Sequence, residues 1–176
     1  MKPIYAQGYY FISLVGNEWH FWEIINYYYF DEKAEMAELV HRPFDYAEEV
    51  ERARLALQEE IDKEKVKVNG ERVKVEVKQA VLEFLAFAEI PYYTFVLEFK
   101  GPYKEGENCF ENEFEEWIAE YDYEAYWLAP KGWAFTEALT SCDYEVSEDG
   151  SVLSIWCRKG DRVRGYEKIC WSPLKS

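Results

Sequence analysis

Asn69-Gly70 lies between two runs of alternating valine, KVKV and ERVKVEVK, and few dipeptides constrain a chain so tightly. A two-residue type I′ turn needs positive φ at both central positions, which Asn and Gly supply at low steric cost. Such a turn sets Val66 against Val73 and gathers Val66, Val68, Val73, Val75 and Val77 on one face. Lys65, Lys67, Arg72, Lys74, Glu76 and Lys78 take the other face, so register and hydrophobic pattern agree.

The same logic recurs along the chain. Gly16-Asn17 separates residues 5–15 from 19–30 and pairs Val15 with Glu18, Ser13 with His20, Phe11 with Trp22 and Tyr10 with Glu23. Both faces of that hairpin are apolar, so it is expected to be covered on both sides. Asp149-Gly150 closes a third hairpin, setting Val146 against Leu153, Tyr144 against Ile155 and Cys142 against Cys157. Residues 80–88 form a continuous apolar run suited to a central strand, and residues 92–100 alternate. Residues 121–128 place Tyr121, Tyr123, Ala125 and Trp127 on one side, and residues 165–171 make a last strand.

Between the first hairpins the period changes. Tyr46, Val50, Ala53, Leu57 and Ile61 mark one helical face behind an Asp45–Glu48 capping box, predicting a helix over 45–64. A shorter helix is expected over 32–41, capped by Asp31 and stopped ahead of Pro43. The expected fold is one mainly β (α+β) domain over residues 1–176. It is an antiparallel β-sandwich or barrel of roughly ten strands, with one long amphipathic helix packed on it.

Thirty-five acids against 20 bases give a net charge of −15. A surface so negative repels phosphate backbones and anionic lipid, so neither nucleic acid nor membrane is an expected partner. No apolar run approaches the length of a membrane-spanning helix, and the first residues lack a signal-peptide pattern. A cytoplasmic protein is therefore expected. Three Gln, five Asn and two Met beside abundant Glu and Lys give a thermophile-like composition.

Cys109, Cys142, Cys157 and Cys170 contain no C-x-x-C pair, so no zinc site is expected, and no cofactor motif occurs. The hairpin register makes a Cys142–Cys157 disulfide sterically feasible, with buried free thiols as the plainer expectation in a reducing compartment. His20 and His41, the only histidines, read as structural.

Three places carry distinctive chemistry. Glu23 interrupts an apolar face of Tyr10, Phe21 and Ile25, and Glu83 one of Val81, Leu85 and Phe87. Desolvation raises the pKa of such carboxyls, and two across one interior would suit acid–base hydrolysis. Residues 105–130 hold nine carboxylates, no Lys or Arg, and interleaved aromatics. Within them Glu107, Asn108, Glu111, Asn112, Tyr121 and Trp127 are the candidate ligand-binding residues, the stretch from 108 to 120 reading as helix or loop. Arg158, Arg162 and Arg164 form a basic loop, either an anion site or an internal counterpart to the acidic stretch. The function expected is a binding or protein-interaction module with an acidic-aromatic surface for a protein or small polar ligand, assembled as a homo-oligomer. The competing expectation is a small hydrolase or isomerase using Glu23 and Glu83.

Overall fold

In the computed structural model, which describes residues 1–175, Gly16 at φ 63° turns Lys2–Val15 (β1) into Glu18–Phe30 (β2). Its register is the expected one, with Val15 opposite Glu18, Phe11 opposite Trp22 and Tyr10 opposite Glu23. Asn69 at φ 50° and Gly70 at φ 81° join Lys65–Val68 (β3) to the two-residue Glu71–Arg72 (β4). The valine hairpin is thus a stub. After Val73, whose N–H donates to the Val66 carbonyl, the chain crosses to the other sheet and continues as Glu76–Phe84 (β5).

The remaining strands are Pro91–Pro102 (β6), Asn108–Glu113 (β7), Trp117–Ile118 (β8), Asp122–Leu128 (β9), Trp133–Leu139 (β10), Asp143–Val146 (β11), Val152–Cys157 (β12), Arg162–Val163 (β13) and Tyr166–Pro173 (β14). A seven-stranded sheet runs β11-β12-β9-β1-β2-β6-β5, a five-stranded one β10-β14-β7-β3-β4, and β13 pairs with β8. The fold is mainly β, but β1 and β9 run parallel, so the antiparallel expectation holds only in part. Neither large sheet closes on itself, which excludes a closed barrel. The ambiguous residues 108–120 are strand, as β7 and β8.

Both large sheets contribute to one core. Phe21 stacks on Phe99 at 4.4 Å within the first sheet and meets Trp171 of the second edge-on at 5.7 Å. Trp19, Trp127 and Trp171 are wholly buried. An aromatic side chain hides about 150–250 Å², or about 4–6 kcal/mol at ~25 cal/mol/Å². Gly101 on β6 lets the sheets approach, since a Cβ there would lie 2.4 Å from that of Val68.

The helical segment divides into a 3₁₀ turn, Glu35–His41, and an α-helix, Pro43–Ile61 (α1). The 3₁₀ segment starts at Glu35 with Ala34 at its N-cap, so Asp31 is not the expected N-cap residue, although its carboxylate accepts from the Met36 N–H at 2.9 Å. The Asp45 cap is not formed: α1 starts earlier because Pro43 fits its first turn, and Asp45 pairs with Arg42 instead. Of residues 80–88, expected to be one central strand, 85–88 are bend and turn and only 80–84 lie in β5, at the sheet edge. Its exposed backbone is covered by α1: Tyr46 bonds Leu82, Arg54 bonds Val77, and Gln58 bonds Val75 and Val77.

The first hairpin is not covered on both sides. Phe11 and Trp22 are each 41% exposed and Val15 is 56% exposed. All four cysteines are paired, as Cys109–Cys170 and Cys142–Cys157, so the free-thiol expectation is corrected. Cys109 and Cys170 lie directly opposite on β7 and β14. Among the described residues no helix is long and apolar enough to cross a membrane.

Candidate binding cavity

A cavity of about 240 Å³ opens between the inner faces of the two sheets. Strand alternation decides what lines it. On the first sheet, β2 turns Phe21, Glu23 and Ile25 inward and β9 turns Tyr123, Ala125 and Trp127 inward. On the second, β7 presents Phe110 and Asn112, and β14 presents Glu167 on the face that carries Ile169 and Trp171. Asn112 and Glu167 are cross-strand partners. Glu64, just beyond α1, accepts a 2.7 Å hydrogen bond from the Asn112 amide.

Four carboxyl groups line this largely apolar space: Glu124, which accepts from the Tyr5 and Tyr126 hydroxyls, and Glu23, Glu64 and Glu167. Burial pushes Glu23 up to about 8, an effect that a hydrogen bond from Tyr10 partly offsets and the charges of Glu64 and Glu167 reinforce. Burial and then the Glu64 charge push Glu167 up to about 7. Glu64 is raised by burial, against the Asn112 hydrogen bond. Tyr10, opposite Glu23 in the register, stacks on Trp127 at 3.9 Å with planes 1° apart. Burial raises its hydroxyl as well. Asn112 Oδ1 is buried with no hydrogen-bond partner among the described residues.

Of the residues singled out from sequence, Glu23, Asn112, Tyr121 and Trp127 meet here. Glu23 is 7% exposed. Glu83 is not its partner: it is exposed, and accepts a hydrogen bond from Tyr92 across the strand at 2.6 Å. The register of β5 shifts between Val77 and Gln79. That irregularity inverts the alternation, so Val77, Ala80 and Leu82 point inward and Glu83 outward. Glu107 accepts from Thr136 and Glu111 from Tyr166, both away from the cavity.

Asn108 is fully buried and its amide is committed internally. Its Oδ1 accepts from the Trp19 indole, the Asn69 amide and the Lys104 N–H, and its Nδ2 donates to the Lys104 and Gly106 carbonyls. Asn108 is thus a structural hub of the β3–β7 corner.

Arg158, Arg162 and Arg164 are all exposed, and no anion pocket gathers them among the described residues. Arg162 binds Glu116, its Nε lying 2.7 Å from Oε1, so the basic loop does pair with the acidic stretch, through β8 and β13. Glu107, Cys109 and Cys170 place donor atoms within 4.8 Å of one another, but the two sulfurs are bonded together.

Glu64 and Glu167 were not found from sequence, although a signal exists for each. Glu167 precedes Ile169 and Trp171 at a spacing of two, the pattern that exposed Glu23. Glu64 follows Ile61, the last apolar residue of α1, by three residues, so continuing the apolar period of the helix leads to it.

No family model matches this chain, and no curated protein matches it. Among solved structures it is similar to native yeast LTA4 hydrolase, with a TM-score of 0.35 and 7% identity over 99% of this chain and 29% of that one. The chain spans less than a third of that protein's length, and a likeness at this level carries no argument.

Proposed function

We propose that the protein is a binding module for a small polar ligand, with the cavity between the sheets as its site. The observation that carries this reading is the convergence of Glu23, Glu64 and Glu167, with no basic residue among the described lining, and several aromatic rings on one space. Apolar pockets with a few converging polar groups are the usual form of small-molecule sites. The acidic-aromatic stretch contributes to both walls, through Phe110 and Asn112 on the second sheet and Tyr123 and Trp127 on the first, with Phe114, Trp117 and Tyr121 between them in sequence, while most of its carboxylates are absent from the lining. Its role is recognition by rings rather than by acids. The test is a panel of small polar compounds followed by thermal unfolding: a ligand of the folded state must raise the midpoint.

The acid–base reading survives in altered form, with Glu167 or Glu64 replacing Glu83 as partner of Glu23. Its support is that Glu23 and Glu167 are held near neutral pH, where a carboxyl can give and take protons. Loss of any observed turnover in both Glu23→Gln and Glu167→Gln is its test.

A second copy of the chain is proposed as the cover for the outer face of the seven-stranded sheet. Support comes from Phe11, Val15 and Trp22, exposed beside the stacked pairs Tyr9–Tyr126 and Tyr28–Tyr92, in a protein otherwise rich in charge. Sedimentation should give a dimer, converted to monomer by Trp22→Lys. A cytoplasmic setting is compatible with two cystines in a hyperthermophile's interior; otherwise they suit an oxidising compartment.

A further inference from the structure

Resting on the reading of the cavity as a ligand site, we infer that its ligand is a small organic ammonium with free N–H donors, a mono- or diamine. The charge balance of the cavity is the first ground. Glu23, Glu64, Glu124 and Glu167 line it, and no Lys, Arg or His does so among the described residues. Buried carboxylates are otherwise paired or neutralised by protons, so a cation supplies what the protein omits.

The acceptors are the second ground. Asn112 spends its amide donor on Glu64 and leaves Oδ1 buried and unpartnered, while Glu23 is more than nine-tenths buried at the cavity wall. An N–H donor satisfies these atoms; a carboxylate or phosphate ligand would oppose them. The rings are the third ground: Tyr121 and the stacked pair Trp117–Tyr123 line the space, and aromatic faces attract cations.

A bare metal ion fits less well. Among the described residues the donor groups gathered within 4.8 Å are Glu107, Cys109 and Cys170, so the cavity carboxyls are spread apart rather than focused on one point. Spread charges suit an extended molecule. At about 240 Å³ the cavity exceeds the ~150 Å³ that accommodates a benzene-sized guest.

Binding of such a cation is coupled to proton release. The titratable groups facing the cavity are Glu23, Glu64 and Glu167, with Tyr10, Tyr27, Tyr121 and Tyr123; Glu124, also at its wall, accepts from the Tyr5 and Tyr126 hydroxyls instead. The tyrosines stay neutral through the relevant range, because burial raises each of them. Affinity for the amine should therefore climb between about pH 6 and 8, by about tenfold per pH unit for each proton displaced.

The test compares 1,4-diaminobutane with its neutral counterpart 1,4-butanediol, by calorimetry and thermal unfolding of the full chain in physiological salt. Saturable one-to-one binding of the diamine, with proton release and little response to the diol, is the expected result. Glu23→Gln and Glu167→Gln should each weaken it by about tenfold or more. Equal or stronger binding of the diol overturns the ammonium assignment while leaving the cavity as a site. Failure of both compounds to bind, or non-saturable uptake of the diamine unchanged in both variants, overturns the assignment too. Failure of the wider polar panel as well removes the site reading. The wild-type comparison stands even if a variant fails to fold.

Discussion

Glu23 on β2 and Glu167 on β14 belong to opposite sheets and line the same cavity, with no base among its described lining. Each interrupts an inward face that is otherwise apolar. A fold that sought only stability would fill those positions with Leu or Val, because buried carboxyls are costly to ionise. Their presence is what supports the proposal of a site between the sheets.

The first consequence concerns pH. Glu23 rises from 4.5 to about 8 and Glu167 to about 7 on folding, so the folded chain holds protons that the unfolded chain releases. Stability from this source is fully present below about 4.5 and is lost as pH rises through about 7 and about 8. The thermal midpoint should fall over that window. Glu23→Gln should leave it nearly unchanged at about pH 5 and raise it at about pH 8.5, relative to the wild type.

Gln58 closes the open edge of β5 like a strand, its Nε2 donating to the Val75 carbonyl and its Oε1 accepting from the Val77 N–H. Gln58→Ala strands both backbone groups. Urea unfolding should show a loss of about 1–3 kcal/mol, and amide exchange at Val77 should accelerate.

Asn108 serves five hydrogen bonds at full burial. Asn108→Ala leaves the Trp19 indole and the Lys104 N–H without this acceptor, so a loss of about 3 kcal/mol or more is expected in equilibrium unfolding.

Gly101 has no room for a methyl group against Val68. Gly101→Ala should destabilise by about 1–3 kcal/mol, and by less in a Val68→Gly background, where the opposing Cβ is gone. Additive effects in the double variant would contradict the contact.

The cystines enclose loops with sequence separations of 61 and 15. By loop entropy they contribute about 4 and about 3 kcal/mol. Reduction should lower the thermal midpoint, and Cys109→Ser/Cys170→Ser more than Cys142→Ser/Cys157→Ser.

Much of the local architecture was legible because turn chemistry fixes register. Gly16-Asn17, Asn69-Gly70 and the Asp149-Gly150 hairpin all set the expected pairs, and Tyr121, Tyr123, Ala125 and Trp127 share a face as alternation requires. What alternation cannot carry is a break in itself. The irregularity between Val77 and Gln79 sent Glu83 outward, and the crossover after Val73 divided one apparent hairpin between two sheets. Distant pairings were equally silent: nothing local in β7 and β14 announces that Cys109 faces Cys170, or that Asn112 faces Glu167. The site was half visible for the same reason. Glu23 betrayed itself by its neighbours in sequence, whereas the company it keeps is assembled by topology.

The seven tryptophans allow the most direct test of the cavity as the ligand site. Trp117 and Trp127 line the cavity, while Trp22 lies on the outer face of the seven-stranded sheet. Their indole N–H signals, with the Asn112 side-chain amide, can be followed by two-dimensional NMR during titration with 1,4-diaminobutane and, separately, 1,4-butanediol. Saturable shifts at Trp117, Trp127 and Asn112 with Trp22 unmoved are expected for at least one of the two. Shifts confined to Trp22, or no shifts with either compound, would contradict a binding site between the sheets.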